Sequence, residues 1–112
     1  MQREDAIRLQ HMLDTAETAL TFIDGRTRED LDLDRMLLFG LTHALLVIGQ
    51  AAMKVGDETR SQSPQIEWAK MVSMRHRLVH AYFDVDRDIV WTTTIEKLAP
   101  LVRELRAILN SP

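Results

Sequence analysis

Apolar residues recur every three or four positions through four stretches of the chain, and turn chemistry separates the stretches. In the first, Ala6, Leu9, Leu13, Ala16, Leu20 and Ile23 share one stripe, which predicts an amphipathic helix over residues 3–23. Asp24-Gly25 is a stop signal, and Thr27-Arg28-Glu29-Asp30 has the form of a capping box in which the threonine oxygen accepts from a free amide of the next turn. From Leu33 to Val55 the apolar positions, Met36, Leu37, Leu41 and Leu45 among them, cover much of the circumference. That pattern predicts the most buried, central helix. Gly56 is expected to end it in the left-handed conformation, and residues 57–63 read as a polar loop.

Ser63-Pro64 offers an N-cap followed by proline at a first helical position, so a third helix is expected from Pro64 to Tyr82. Its core contacts would be Ile66, Ala69, Met71, Val72, Leu78 and Val79. Residues 84–88 are acidic, lack an apolar stripe and read as a connector. The pair Thr93 and Glu96 is a fuller capping box, and Leu98, Leu101, Val102, Leu105, Ile108 and Leu109 form the stripe of a fourth helix. Pro100 would kink it or mark the end of an irregular first turn. The expected fold is all-α, a four-helix up-and-down bundle. No repeat, low-complexity tract or linker divides the chain, so residues 1–112 are expected to form one domain.

Composition agrees: 46% hydrophobic and 28% charged residues in 112 describe one small soluble domain, and 5% aromatics favour helix over strand. A chain this short buries a modest fraction of its surface, which makes pairing with a second copy a reasonable expectation. The absence of cysteine excludes a disulfide scaffold and thiolate chemistry. The N-terminus has neither the apolar stretch of a signal peptide nor a lipidation signal, and no apolar run approaches the roughly twenty residues of a membrane span. A cytoplasmic protein with no membrane association is expected.

A net charge of −3 argues against coating nucleic acid by bulk positive potential. Any RNA site must be local. From Ala69 to Phe83 there is no carboxylate, but there are Lys70, Arg75, His76, Arg77 and His80. At about 100° per residue, Arg75 and His80 lie about 140° apart around a helix. Serving one site together therefore calls for a long reach by the arginine or a cleft shared with a second copy.

Such a cleft suits metal-independent phosphodiester cleavage in RNA. A histidine can take the proton from a ribose 2′-hydroxyl or return one to the leaving oxygen. An arginine fork can hold the phosphate and stabilise charge on its oxygens. His76, Arg77 and Lys70 are further candidates for RNA or phosphate contact. The plainer readings are an ion pair for Arg75, a backbone-bonded interfacial histidine for His80 and a buried aromatic anchor for Tyr82. His76 and His80 have a zinc-compatible spacing, with Asp84 as a third ligand, but Arg75 and Arg77 oppose a cation there and no glutamate lies between the histidines. No metal or cofactor is expected. His11 and His43 have no evident partners, Trp68 and Trp91 read as packing anchors, and the methionines as core filler.

The spacing Arg75, four residues, His80, one residue, Tyr82 resembles the R-x4-H-x-Y motif of HepT-like toxins in the HEPN superfamily. Residues 75–83, Val85-Asp86, Ile89-Val90-Trp91, and the upstream runs 48–52 and 64–68 are similar to further family segments. The residue after the arginine, often asparagine in the family, is His76, and Gln50 stands where glutamate is frequent. The resemblance implies a four-helix HEPN fold, a homodimer with the motif in its cleft, and an RNase toxin with Arg75 and His80 catalytic. It also implies an MntA-like nucleotidyltransferase antitoxin that transfers AMP to Tyr82. The alternative is a catalytically silent helical partner that binds a nucleotidyltransferase or nucleotide through the same face.

Overall fold

A computed structural model describes residues 1–81 and 84–110. Its helices are α1 (Arg3–Phe22), α2 (Asp30–Leu33), α3 (Arg35–Lys54), α4 (Asp57–Gln62), α5 (Trp68–His80) and α6 (Arg87–Leu109). The four long ones form the all-α bundle expected from the stripes. α3 is central, with α1 and α5 packed along it, and α6 lies mainly against α1. The start of α1 meets the end of α3 where Asp5 binds Gly56, and the end of α1 lies over the start of α3 where the Phe22 ring faces Gly40. The two helices are therefore antiparallel.

Leu9, Met12 and Ala16 of α1, Leu41 and Ala52 of α3, and Val90 and Leu105 of α6 are completely buried. Burying a large aliphatic side chain contributes about 1.5–3 kcal/mol each, so this shared core dominates the stability of the bundle. α3 is long and apolar enough, by length and composition alone, to cross a bilayer. In the fold it is a helix of the bundle core, packed between α1 and α5 with Leu38, Leu41, Leu45 and Ile48 buried.

Several boundaries differ from expectation. Residues 57–62 form α4 rather than a loop, although they carry no apolar stripe. The reason lies fifty residues upstream: Asp5 accepts from the Gly56 amide at 3.0 Å and the Thr59 hydroxyl at 2.6 Å, serving the first turn of α4 as a cap supplied from α1. Gly56 is extended, with φ −66°, and precedes α4 instead of ending α3 in the left-handed region. A Cβ there would come within 3.2 Å of the Asp5 carboxylate.

The third long helix starts at Trp68 rather than Pro64, because Ile66 and Trp68 turn inward first and the Trp68 indole donates to the Ser63 carbonyl at 3.0 Å. The last begins at Arg87, well before Thr93: the Asp86 carboxylate caps it by accepting from the Ile89 amide. Thr94, completely buried on the stripe, donates its hydroxyl to the Val90 carbonyl at 2.8 Å, which makes a polar residue acceptable in the core. The helix runs through Pro100 without interruption. At Thr27 one half of the expected capping box forms, its amide donating to the Asp30 carboxylate at 2.7 Å, while its hydroxyl donates to the same carboxylate. Leu33, Met36 and Phe39 are 83%, 85% and 60% exposed and leave the expected central core with an open apolar end. Val79, expected inside, is also exposed, and so is Ala69.

The Thr59 hydroxyl and then the Gly56 amide hold the Asp5 carboxyl below its ordinary pKa. A group shifted downward by folding stabilises the fold above its unfolded pKa, and that contribution is lost as pH falls through the folded value. Asp5→Ala should lower unfolding free energy by about 1–3 kcal/mol at neutral pH. Urea melts at neutral pH and below pH 3 should show this gap shrinking in acid; an equal gap at both would mean that ionised Asp5 is not the source.

Candidate functional site

α5 carries Arg75, His76, Arg77 and His80. Its position is set by Gly49 of α3: a Cβ at Gly49 would lie 2.5 Å from the Arg75 Cβ and 2.7 Å from the Met71 carbonyl oxygen. Only hydrogen fits there, so α5 packs against the α3 backbone and the stem of Arg75 is pinned in the contact. Gln50, next along α3, lines the same space.

Beyond this contact opens a groove of about 740 Å³ between α1, α3 and α5. Arg8, His11, His43, Gln50, Lys54 and Arg75 line it. Arg75 is half-buried and forms no ion pair among the described residues. His11 and His43 attract no notice in the sequence. They reach the groove because positions 7, 11 and 14–15 of α1 face positions 43, 46–47, 50 and 54 of α3, a pairing of helix faces that spacing within either helix could not reveal.

His80 is exposed at the last helical position of α5 and does not line the groove; His76 and Arg77 are exposed too. Within one chain the arginine and histidine therefore face different surfaces, as their angular separation requires. Lys70 turns the other way. It pairs with Glu67 at 2.7 Å and, with Lys97 also on Glu67, borders a separate apolar groove between α5 and α6. Lys70 binds an internal carboxylate, which holds the Lys70 ammonium above and the Glu67 carboxyl below their ordinary pKa values. Tyr82 lies outside the described residues. Among the described residues, no three His, Asp or Glu side chains are grouped so as to hold a metal ion.

The chain is an all-helical bundle in which α5 carries an arginine with no ion pair among the described residues and a histidine five residues on. The chain belongs to the ribonuclease HepT-like family, whose profile matches residues 12–108. It is 35% identical over 95 residues to a protein of Thermococcus cleftensis named "Probable ribonuclease HepT", a match covering 81% of this chain and 86% of that one. It is 29% identical over 102 residues to a protein of Caldanaerobacter subterraneus named as a candidate RNase, covering 91% of each. No solved structure matches the chain.

Gly49→Ala should destabilise the protein by about 1–3 kcal/mol, since the added methyl overpacks against backbone and a pinned Cβ. Thermal melts read this directly; a Gly49→Ala protein melting with the parent would show that α5 can move away freely.

Proposed function

We propose that the protein is a metal-independent endoribonuclease of the HEPN type, acting as a homodimeric toxin. Its half-buried, unpaired Arg75, on the same helix as an exposed His80, is the observation that carries the reading, supported by membership in the ribonuclease HepT-like family. His80 takes the proton from a ribose 2′-hydroxyl, and the 2′-oxygen attacks the adjacent phosphorus. The bond to the 5′-oxygen breaks, leaving a 2′,3′-cyclic phosphate, and the proton returns to the departing 5′-oxygen. Arg75 stabilises the phosphate oxygens as charge builds on them. DNA has no attacking hydroxyl and is not a substrate.

A second copy supplies the missing proximity. Leu33, Met36 and Phe39 are exposed apolar side chains, and Phe39 lines a cleft with Asp84 and Val85 just after α5. Pairing two copies over these residues buries apolar surface and brings the α5 ends together. His76 and Arg77, both exposed beside His80, are the further phosphate contacts; Lys70, paired on the opposite side, is less suited. In the same reading the protein works in the cytoplasm beside a nucleotidyltransferase antitoxin. That enzyme joins the Tyr82 phenol oxygen to the α-phosphorus of ATP and releases pyrophosphate. The added AMP places charge and bulk where an RNA phosphate must sit.

Cleavage of a mixed tRNA and mRNA pool in EDTA tests the activity. The parent should cut, and His80→Ala and Arg75→Ala proteins that remain dimeric should lose on the order of 10²-fold or more in rate. Equal cutting by all three would place the activity elsewhere, and no cutting by any would favour a silent partner that binds the transferase. With that transferase, ATP and Mg²⁺, the intact mass should rise by one AMP in the parent and stay constant in Tyr82→Phe; a rise in both would move the modification to another side chain.

A further inference from the structure

Arg26, Arg28, Arg60, Lys97 and Arg106 form ion pairs within the chain. Arg8, Lys54 and Arg75 form none among the described residues, and these three, from three helices, line one groove. Two carboxylates, Glu4 and Asp14, share it, and Asp14 already accepts from the Gln10 amide at 2.8 Å. Three cations and two carboxylates line the groove itself, and at its α4 end Arg8 and Lys54 also border a recess with Asp5, Asp57 and Glu58. Between the charged rims lies an apolar floor of Leu46, Val47, Ala51 and Val79.

We propose that this groove seats single-stranded RNA as it leads to the reacting phosphate at Arg75, with Arg8 and Lys54 contacting flanking phosphates and the apolar floor receiving bases or ribose. The proposal rests on the ribonuclease reading and extends it to residues outside the motif. A cationic rim around an apolar floor matches a chain of alternating phosphates and flat bases. The imidazoles of His11 and His43 add hydrogen-bonding groups for phosphate or sugar oxygens.

A second copy fits less well. A two-fold contact centred on this groove would set its three cations and two carboxylates against the same set from the other copy, with cations in excess on both sides. The more exposed apolar residues Leu33, Met36 and Phe39 lie toward the other end of α3, with Phe39 about 22 Å along the helix from Lys54. That arrangement leaves the groove free while the other end pairs.

The test measures fluorescence anisotropy of a short, mixed-sequence 2′-O-methyl RNA, which cannot be cut, on full-length His80→Ala protein across a salt series. Adding Arg8→Ala and Lys54→Ala together should weaken binding about tenfold and flatten the slope of log affinity against log salt by about 1.4, or about 0.7 per lost phosphate contact. Lys54→Arg should retain most of the affinity. Because neither probe nor protein turns over, the result decides the groove whether or not the parent proves to be a ribonuclease. Unchanged affinity and slope in the double variant would overturn the assignment. So would loss of the dimer in sedimentation with RNA binding intact, which would make the groove an interface between copies, or tighter binding of polyglutamate than of RNA, which would make it a site for an acidic peptide.

Discussion

At Gly49 the backbone of α3 comes so near α5 that a Cβ would lie 2.5 Å from the Cβ of Arg75, and the placement of Arg75 and His80 follows from that approach. With α5 drawn in, Leu78 is buried and fixes its rotation about its own axis. Rotation then decides which side chains are wet. Arg75 is half-buried at the contact, Val79 reaches the groove edge, and His76, Arg77 and His80 are left outside. A larger residue at 49 would lift α5, and the arginine would trade a pinned stem for the mobility of a surface side chain, losing the preorganisation that makes electrostatic stabilisation effective.

The remaining polar structure keeps α3 in place from both ends. At its start, Asp34 accepts from the Leu37 amide as N-cap while Arg26 holds the same carboxylate at 2.8 Å. Arg26, and after it the Leu37 amide, keep the Asp34 carboxyl below its ordinary pKa. At its end, Asp5 crosses from α1 to hold Gly56 and Thr59. These two clasps differ in worth. Asp5 and Thr59 are buried, so an unmet carboxylate there would be costly, whereas the Arg28–Asp88 and Arg106–Glu17 pairs stand in water and contribute little each.

The long helices were legible because their stripes are local. Leu9, Leu13 and Ala16, or Leu98, Leu101 and Leu105, announce a buried face by spacing alone, and those residues are buried. What the sequence hid is what depends on distant partners. α4 has no stripe and exists because Asp5 caps it from α1. The start of α6 was masked by Thr94, a polar residue on an apolar stripe made tolerable by a bond to its own helix. Met36 was read inward because it is apolar, but it is 85% exposed. At the candidate site, the motif on α5 was legible as one contiguous segment. The groove beside it was not, since Arg8, His11, His43 and Lys54 meet only when α1 and α3 pack side by side.

That division also bears on why the chemistry proposed here calls for two chains. Arg75 and His80 are separated by about 140° around α5, and the fold honours the angle: one lines the groove, the other does not. No side-chain rotation removes such a separation while Leu78 anchors the helix in the core. A second copy would avoid the difficulty, because a two-fold axis near the end of α5 would set the arginine of one chain across from the histidine of the other without disturbing either helix. The exposed apolar cluster at the start of α3 supplies attraction for that pairing close to the end of α5, while the unpaired cations lie farther along the groove. The exposed apolar residues at the start of α3 and the cations of the groove thus lie apart, with Lys54 at the far end of the same helix.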